Sequence, residues 1–149
     1  MLAPSYQGRI LSNQEHGDLV VDEIPGLLEA LQLPPIRRAI DVALTDATLR
    51  RLTVDLPDVR AALLLKAYAF RDRLAGRDAI DVWRLLESAN RAGHTAATWP
   101  HGSGWREGAA LLHRHFGATG RMVALPDRAV RTRVRALTVR VVPPGPTAV

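Results

Sequence analysis

Lys66 is the only lysine among 20 basic residues, the remaining 19 being arginines. A lysine kept where arginine is otherwise preferred points to a position that needs a compact ammonium rather than a planar fork. It follows Leu63-Leu64-Leu65 and shares a helical face with Ala62, Leu63, Ala67 and Phe70. An ammonium in such apolar surroundings needs a carboxylate partner. Asp81, fifteen residues on, is the candidate, provided that the helices carrying the two residues pack side by side. The segment Arg77-Asp78-Ala79-Ile80-Asp81 has a second reading as a helix start. Asp78 is then mainly the N-cap and Asp81 lies three positions later, where an acid favours the positive helix end.

The elements that must position these residues follow from periodicity. Pro57-Asp58 closes a strand and opens a helix, with Asp58 as N-cap before Val59 to about Arg73. Ala75-Gly76 interrupts the pattern. A second helix from about Ala79 to Arg91 buries Ile80, Val82, Trp83, Leu86 and Ala89, and Gly93 ends it. Upstream, Arg38 to Leu44 alternates, with Ile40, Val42 and Leu44 on one face and Asp41 and Ala43 on the other. This reads as a half-buried strand that turns at 45–48 and returns as Leu49 to Leu56, a hairpin near 38–56. Leu19 to Val21 is β-prone, and a short helix, Leu27 to Leu31, fits before Pro34-Pro35. A loop at 94–104 leads to a third helix, Trp105 to Phe116, and Pro126-Asp127 opens the last one. The expected fold is α/β of the α+β type, a small mixed or antiparallel sheet packed against about four helices. Residues 1–17 are expected as a loosely ordered arm, 18–142 as a single domain and 143–149 as a disordered tail.

Composition narrows the chemistry. A chain of 149 residues, 47% hydrophobic and 23% charged, is that of a globular domain. The absence of cysteine removes disulfides, thiolate zinc sites and cysteine nucleophiles. His113 and His115 are two apart, which on a helix separates them, and His94 and His101 share a loop with no acidic neighbour. Asp41 is a solvent-facing strand aspartate or, on the functional reading, a third site carboxylate and weak metal candidate. A net charge of +5 and a pI near 10.9 favour polyanionic partners. Arg128, Arg131 and Arg135 share one face of the last helix, a solvated basic face or an RNA contact, without aromatic residues for base stacking. The apolar stretches are too short to span a membrane, the first seventeen residues do not read as a secretory signal, and a cytoplasmic location is expected.

The apolar run Ala62-Leu63-Leu64-Leu65-Lys66-Ala67, followed by Arg77-Asp78-x-x-Asp81, resembles the nucleotidyltransferase family that includes the AbiEii/AbiGii toxins, over roughly residues 18–93. The resemblance implies that Lys66 and Asp81 are catalytic, that Lys66 and Arg77 hold nucleotide phosphates, and that Asp81 serves as base or orienter. It also implies a nucleoside triphosphate and magnesium as cofactors of an intact relative. Family members carry, ahead of these motifs, a Gly-Ser pair and an Asp-x-Asp whose carboxylates hold the metal. Here Gly102-Ser103 is the only Gly-Ser pair, and no Asp-x-Asp occurs. The expectation is therefore a truncated or degenerate nucleotidyltransferase-like domain, inactive alone. The alternatives are a small basic nucleic-acid-binding module and a scaffold that self-associates or pairs with a separate chain supplying the missing strand.

Overall fold

In the computed structural model, residues 1–120, 125 and 127–145 are described. Among these residues the architecture is α+β: a three-stranded mixed sheet, a separate two-stranded antiparallel hairpin and five α-helices.

Strands β1 (Leu2–Pro4), β2 (Leu11–His16) and β3 (Leu19–Ile24) form the first sheet, with β3 in the centre, parallel to β1 and antiparallel to β2. The expected loose arm at 1–17 is thus corrected, since it supplies two of these three strands. Gly17 takes φ 61° in the tight turn joining β2 to β3, a conformation that glycine adopts freely. The arm is also tied to a helix end: Asp72 accepts the Ile10 amide at 3.2 Å, and Arg71 donates to the Gly8 carbonyl.

Helix α1 (Leu27–Leu31) leads into the hairpin of β4 (Ile36–Ala43) and β5 (Leu49–Leu56), paired from Ile36↔Leu56 to Ala43↔Leu49. Its extensive contacts are confined to its own two strands, so the expected half-burial does not occur. The apolar side chains of the hairpin are largely exposed.

Helix α2 (Val59–Arg73) is the central element and packs against α1, α3 (Gly76–Arg91) and α4 (Ser103–Phe116). Asp58 caps α2 as its spacing predicts, accepting the Arg60 amide at 2.8 Å. Helix α2 buries Ala61, Leu63, Leu64, Ala67, Tyr68 and Phe70 over half of its circumference, and its other residues as far as Arg71 are partly buried. Such a helix belongs inside the core. Helix α3 instead buries one stripe, Ala79, Val82, Leu86 and Ala89, at helical spacing. Helix α4 approaches α2 closely at Gly108, where any Cβ would collide with the Leu64 side chain. A single 3-10 turn (Ala96–Thr98) precedes α4. Helix α5 (Arg128–Val141), capped by Asp127, closes the core with Val134, Leu137 and Val141 against α3 and α4. Of the expected tail, 146–149 lie outside the described residues, as does Pro126; Gly145 lies against Ala110 of α4.

Candidate functional site

The antiparallel pair α2–α3 carries the charged cluster. Lys66 is the middle residue of α2, and its side chain leaves the core over α3. Its Nζ donates to Asp81 Oδ2 at 2.8 Å and to Asp78 Oδ1 at 3.0 Å. From the end of α2, Arg73 reaches across the Leu74-Ala75 turn and donates Nε and Nη2 to the two oxygens of Asp78, both at 3.1 Å. Asp78 is 4% exposed, while Lys66 and Asp81 are each about a third open to solvent at the side chain.

This geometry corrects the capping role expected for Asp78. The helix begins three residues earlier than expected, with Ala75 as the N-cap and no side-chain cap bond. Asp78 therefore sits inside the first turn, where the free amide ends still favour its charge, and its oxygens are engaged by two cations. Arg73 is a member of the cluster that sequence reasoning missed. Its signal was weak, because Arg73 and Asp78 become neighbours only through the tight turn between the helices.

The electrostatics are mutual. Burial alone would lower the Lys66 ammonium, but the hydrogen bonds to Asp81 and Asp78 outweigh it and leave the pKa raised above the ordinary 10.5. Asp81 is held below the ordinary 3.8, first by its hydrogen bond with Lys66 and then by the charges of Lys66, Arg77 and Arg84. Both groups are therefore firmly ionised at neutral pH.

Beside the cluster lies a cavity of about 480 Å³ between the three-stranded sheet and the α2–α3 pair. Its apolar wall includes Leu2, Ile10, Ile24, Leu65 and Leu85, and its charged wall is Lys66, Arg73, Asp81 and Arg84. The cleft was expected beside the 38–56 hairpin; the N-terminal strands bound it instead. Three cations against Asp81 on the wall and Asp78 directly behind it leave a balance of one positive charge, suited to an anionic ligand with an apolar portion.

The other sequence candidates lie elsewhere. Arg77 is exposed near the start of α3 and acts on Asp81 only through its charge among the described residues. Asp41 is on the exposed hairpin, 3.6 Å from Arg51, and does not line the cavity. On α5, Arg131 donates to the Leu125 carbonyl at 2.9 Å and Arg135 to that of Gly120 at 3.3 Å, so two of the three arginines tether backbone. Arg128 is left exposed, and Arg133 pairs with Glu87 of α3 at 2.8 Å.

Magnesium, implied by the family resemblance, does not fit the residues present. Among the described residues no three His, Asp or Glu side chains group as metal ligands. The two carboxylates of the cluster already accept from Lys66 and Arg73. Comparison with known proteins finds no matching family, no matching curated protein and no matching solved structure. The helices of the described residues are not long and apolar enough to cross a membrane.

Proposed function

We propose that these residues form the nucleotide-holding part of a nucleotidyltransferase-like domain, in which Lys66 and the arginines beside it take the phosphates of a nucleoside triphosphate. The observation that carries this reading is the Lys66 ammonium, held between Asp78 and Asp81 on the wall of a cavity with an apolar side. The ammonium has three N–H donors, and the two aspartates use two. The third, together with Arg84, serves an incoming phosphate, while the apolar wall accommodates the rest of the nucleotide. Asp81 keeps Lys66 oriented and charged.

Nucleotidyl transfer needs strong charge neutralisation on the reacting phosphates, commonly by metal ions held on clustered carboxylates. No Asp-x-Asp is present to provide them. The chain by itself therefore binds a triphosphate weakly and transfers no nucleotide. The nucleic-acid-binding alternative is less favoured because Arg131 and Arg135 are engaged with backbone carbonyls.

The test is titration of the purified chain with each nucleoside triphosphate, with and without magnesium, followed by labelled transfer to total RNA. Lys66→Ala abolishes binding, and Lys66→Arg restores only part of it, because a planar fork does not reproduce a compact ammonium. Arg84→Ala, at an exposed position, weakens binding severalfold without disturbing the fold. Binding indifferent to all three changes, or robust transfer by the unaided chain, overturns the reading.

A further inference from the structure

The β4–β5 hairpin has two unlike faces. Register places Arg37 opposite Asp55 and Asp41 opposite Arg51 on one face, where Arg37 grips Asp55 through two bonds of 2.8 and 3.0 Å. That face is built for water. The other face carries Ile36, Ile40, Val42, Leu52, Val54 and Leu56. Ile36 is 37% exposed, Ile40 40%, Leu52 46% and Leu56 45%, and no described element packs on them extensively. A two-stranded hairpin alone is marginal in water, and an apolar sheet face of this kind is ordinarily covered.

We propose that this face is the docking surface for an acidic amphipathic helix of a second polypeptide. Dimensions favour a single helix: two strands about 4.8 Å apart make a face about as wide as one helix with its side chains. Strands of eight residues run for about 26 Å, the length of a helix of about 17 residues. The track continues at its base, where Leu56 also borders a groove of about 410 Å³ with Leu31, Leu33 and Leu65.

Charge selects the partner. The charged residues of the apolar face are Arg38 and Arg50. Arg38 reaches only the Arg37 carbonyl at 3.2 Å, and Arg50 meets no acid among the described residues. The hairpin's acids are already occupied on the other side or in the turn, where Asp46 accepts from Thr48. A second copy pairing through the same face brings Arg38 and Arg50 again and no acid to the contact. A helix with leucines along one stripe and glutamates flanking it meets both requirements. This inference is independent of the nucleotide reading, since the face lies on neither wall of the cavity.

The experiment titrates the full chain with two labelled synthetic helical peptides of about 18 residues. They share a leucine stripe, and one carries glutamate flanks and the other lysine flanks. Anisotropy reports affinity, and amide exchange reports protection at 36–56. The glutamate peptide binds at least about tenfold more tightly than the lysine peptide and protects the hairpin. Arg38→Glu with Arg50→Glu reverses that preference, and Ile40→Ser with Leu52→Ser abolishes binding, with helical circular dichroism unchanged in both. Equal binding of the two peptides, protection outside 36–56, or no binding by the parent chain overturns the proposal. So does a concentration-dependent dimer that Ile40→Ser with Leu52→Ser disperses, which assigns the face to a second copy.

Discussion

Helix α3 of the helical hairpin and the β4–β5 strand hairpin both have clear amphipathic patterns and opposite fates. Leu86 and Val82 of α3 are fully buried against α2 and α5, whereas Leu52 and Ile40, with the same kind of periodicity in the strand register, remain open to solvent. Periodicity identifies which face is apolar; it does not say what covers that face. Helices α2 and α5 provide the cover for α3 within this chain, while the hairpin has none among the described residues. The ions differ in the same sense. Asp78 is buried between two cations, and Asp55 pairs with Arg37 in water.

The sharpest break in this comparison comes from truncating equivalent leucines. Leu86→Ala removes a fully buried side chain and leaves a cavity, costing about 3 kcal/mol in denaturant unfolding. Smaller is Asp78→Ala, which deprives Lys66 and Arg73 of a buried partner and costs about 2 kcal/mol, since Lys66 keeps Asp81 and Arg73 is more than half exposed. Asp81→Ala, at the more open end of the cluster, costs about 1 kcal/mol. Equal losses for the two aspartates count against a graded cluster with Asp78 at its centre.

Much of the helical region was legible because independent local signals agree there. Asp58 as cap, the bounds of α2, and the contact between Lys66 and Asp81 all follow from side-chain chemistry and spacing. The strand Leu49–Leu56 was legible for the same reason. Of the N-terminal strands, β3 was read in part at Leu19 to Val21, whereas β1 and β2 were not. Strand β1 has three residues, too few to show alternation, and β2 is mostly polar, with a register shift between Leu11 and Gln14 where Asn13 takes φ 55°. The one available signal was Gly17-Asp18, a two-residue turn type common in hairpins. The cavity was hidden with them, because it exists only once Leu2, Ile10 and Ile24 close over the helices. Arg73 and the depth of Asp78 were hidden because both depend on where α3 starts.

A smaller effect, specific to the helical cluster, appears on changing pH. Asp81 has a folded-state pKa below its ordinary 3.8, so its contribution to stability is complete above that value and is lost as pH falls through the folded value. Lys66 has a folded-state pKa above 10.5, so its contribution is complete below that value and is lost as pH rises through the folded one. Asp81→Asn therefore flattens the acid limb of the stability profile below about pH 4 and lowers the Lys66 value, moving the alkaline limb down. Chemical denaturation across pH, with the parent chain alongside, measures both limbs. An acid limb unchanged by Asp81→Asn assigns it to other carboxylates, such as Asp58, which its hydrogen bond with Arg60 also holds low.

The smallest stability change is expected at the counterpart of Leu86 in the strand hairpin. Leu52 is 46% exposed, so Leu52→Thr removes little buried apolar area and introduces a β-branched residue suited to a strand. Its effect on unfolding free energy stays within about 0.5 kcal/mol, the range of surface substitutions outside special contacts, because Leu52 is nearly half exposed. Leu52 faces Ile40 across the pair, so some cross-strand contact is lost, but the two residues lack a described layer above them. Adding the glutamate-flanked peptide at saturation converts this near-neutral site into a buried one. The same substitution then costs an additional affinity loss of about tenfold, because the leucine is being withdrawn from a covered interface rather than from water. A large loss of stability from Leu52→Thr in the chain alone means that the hairpin face is already covered in solution, which makes the two hairpins alike and removes the basis for an unoccupied docking surface.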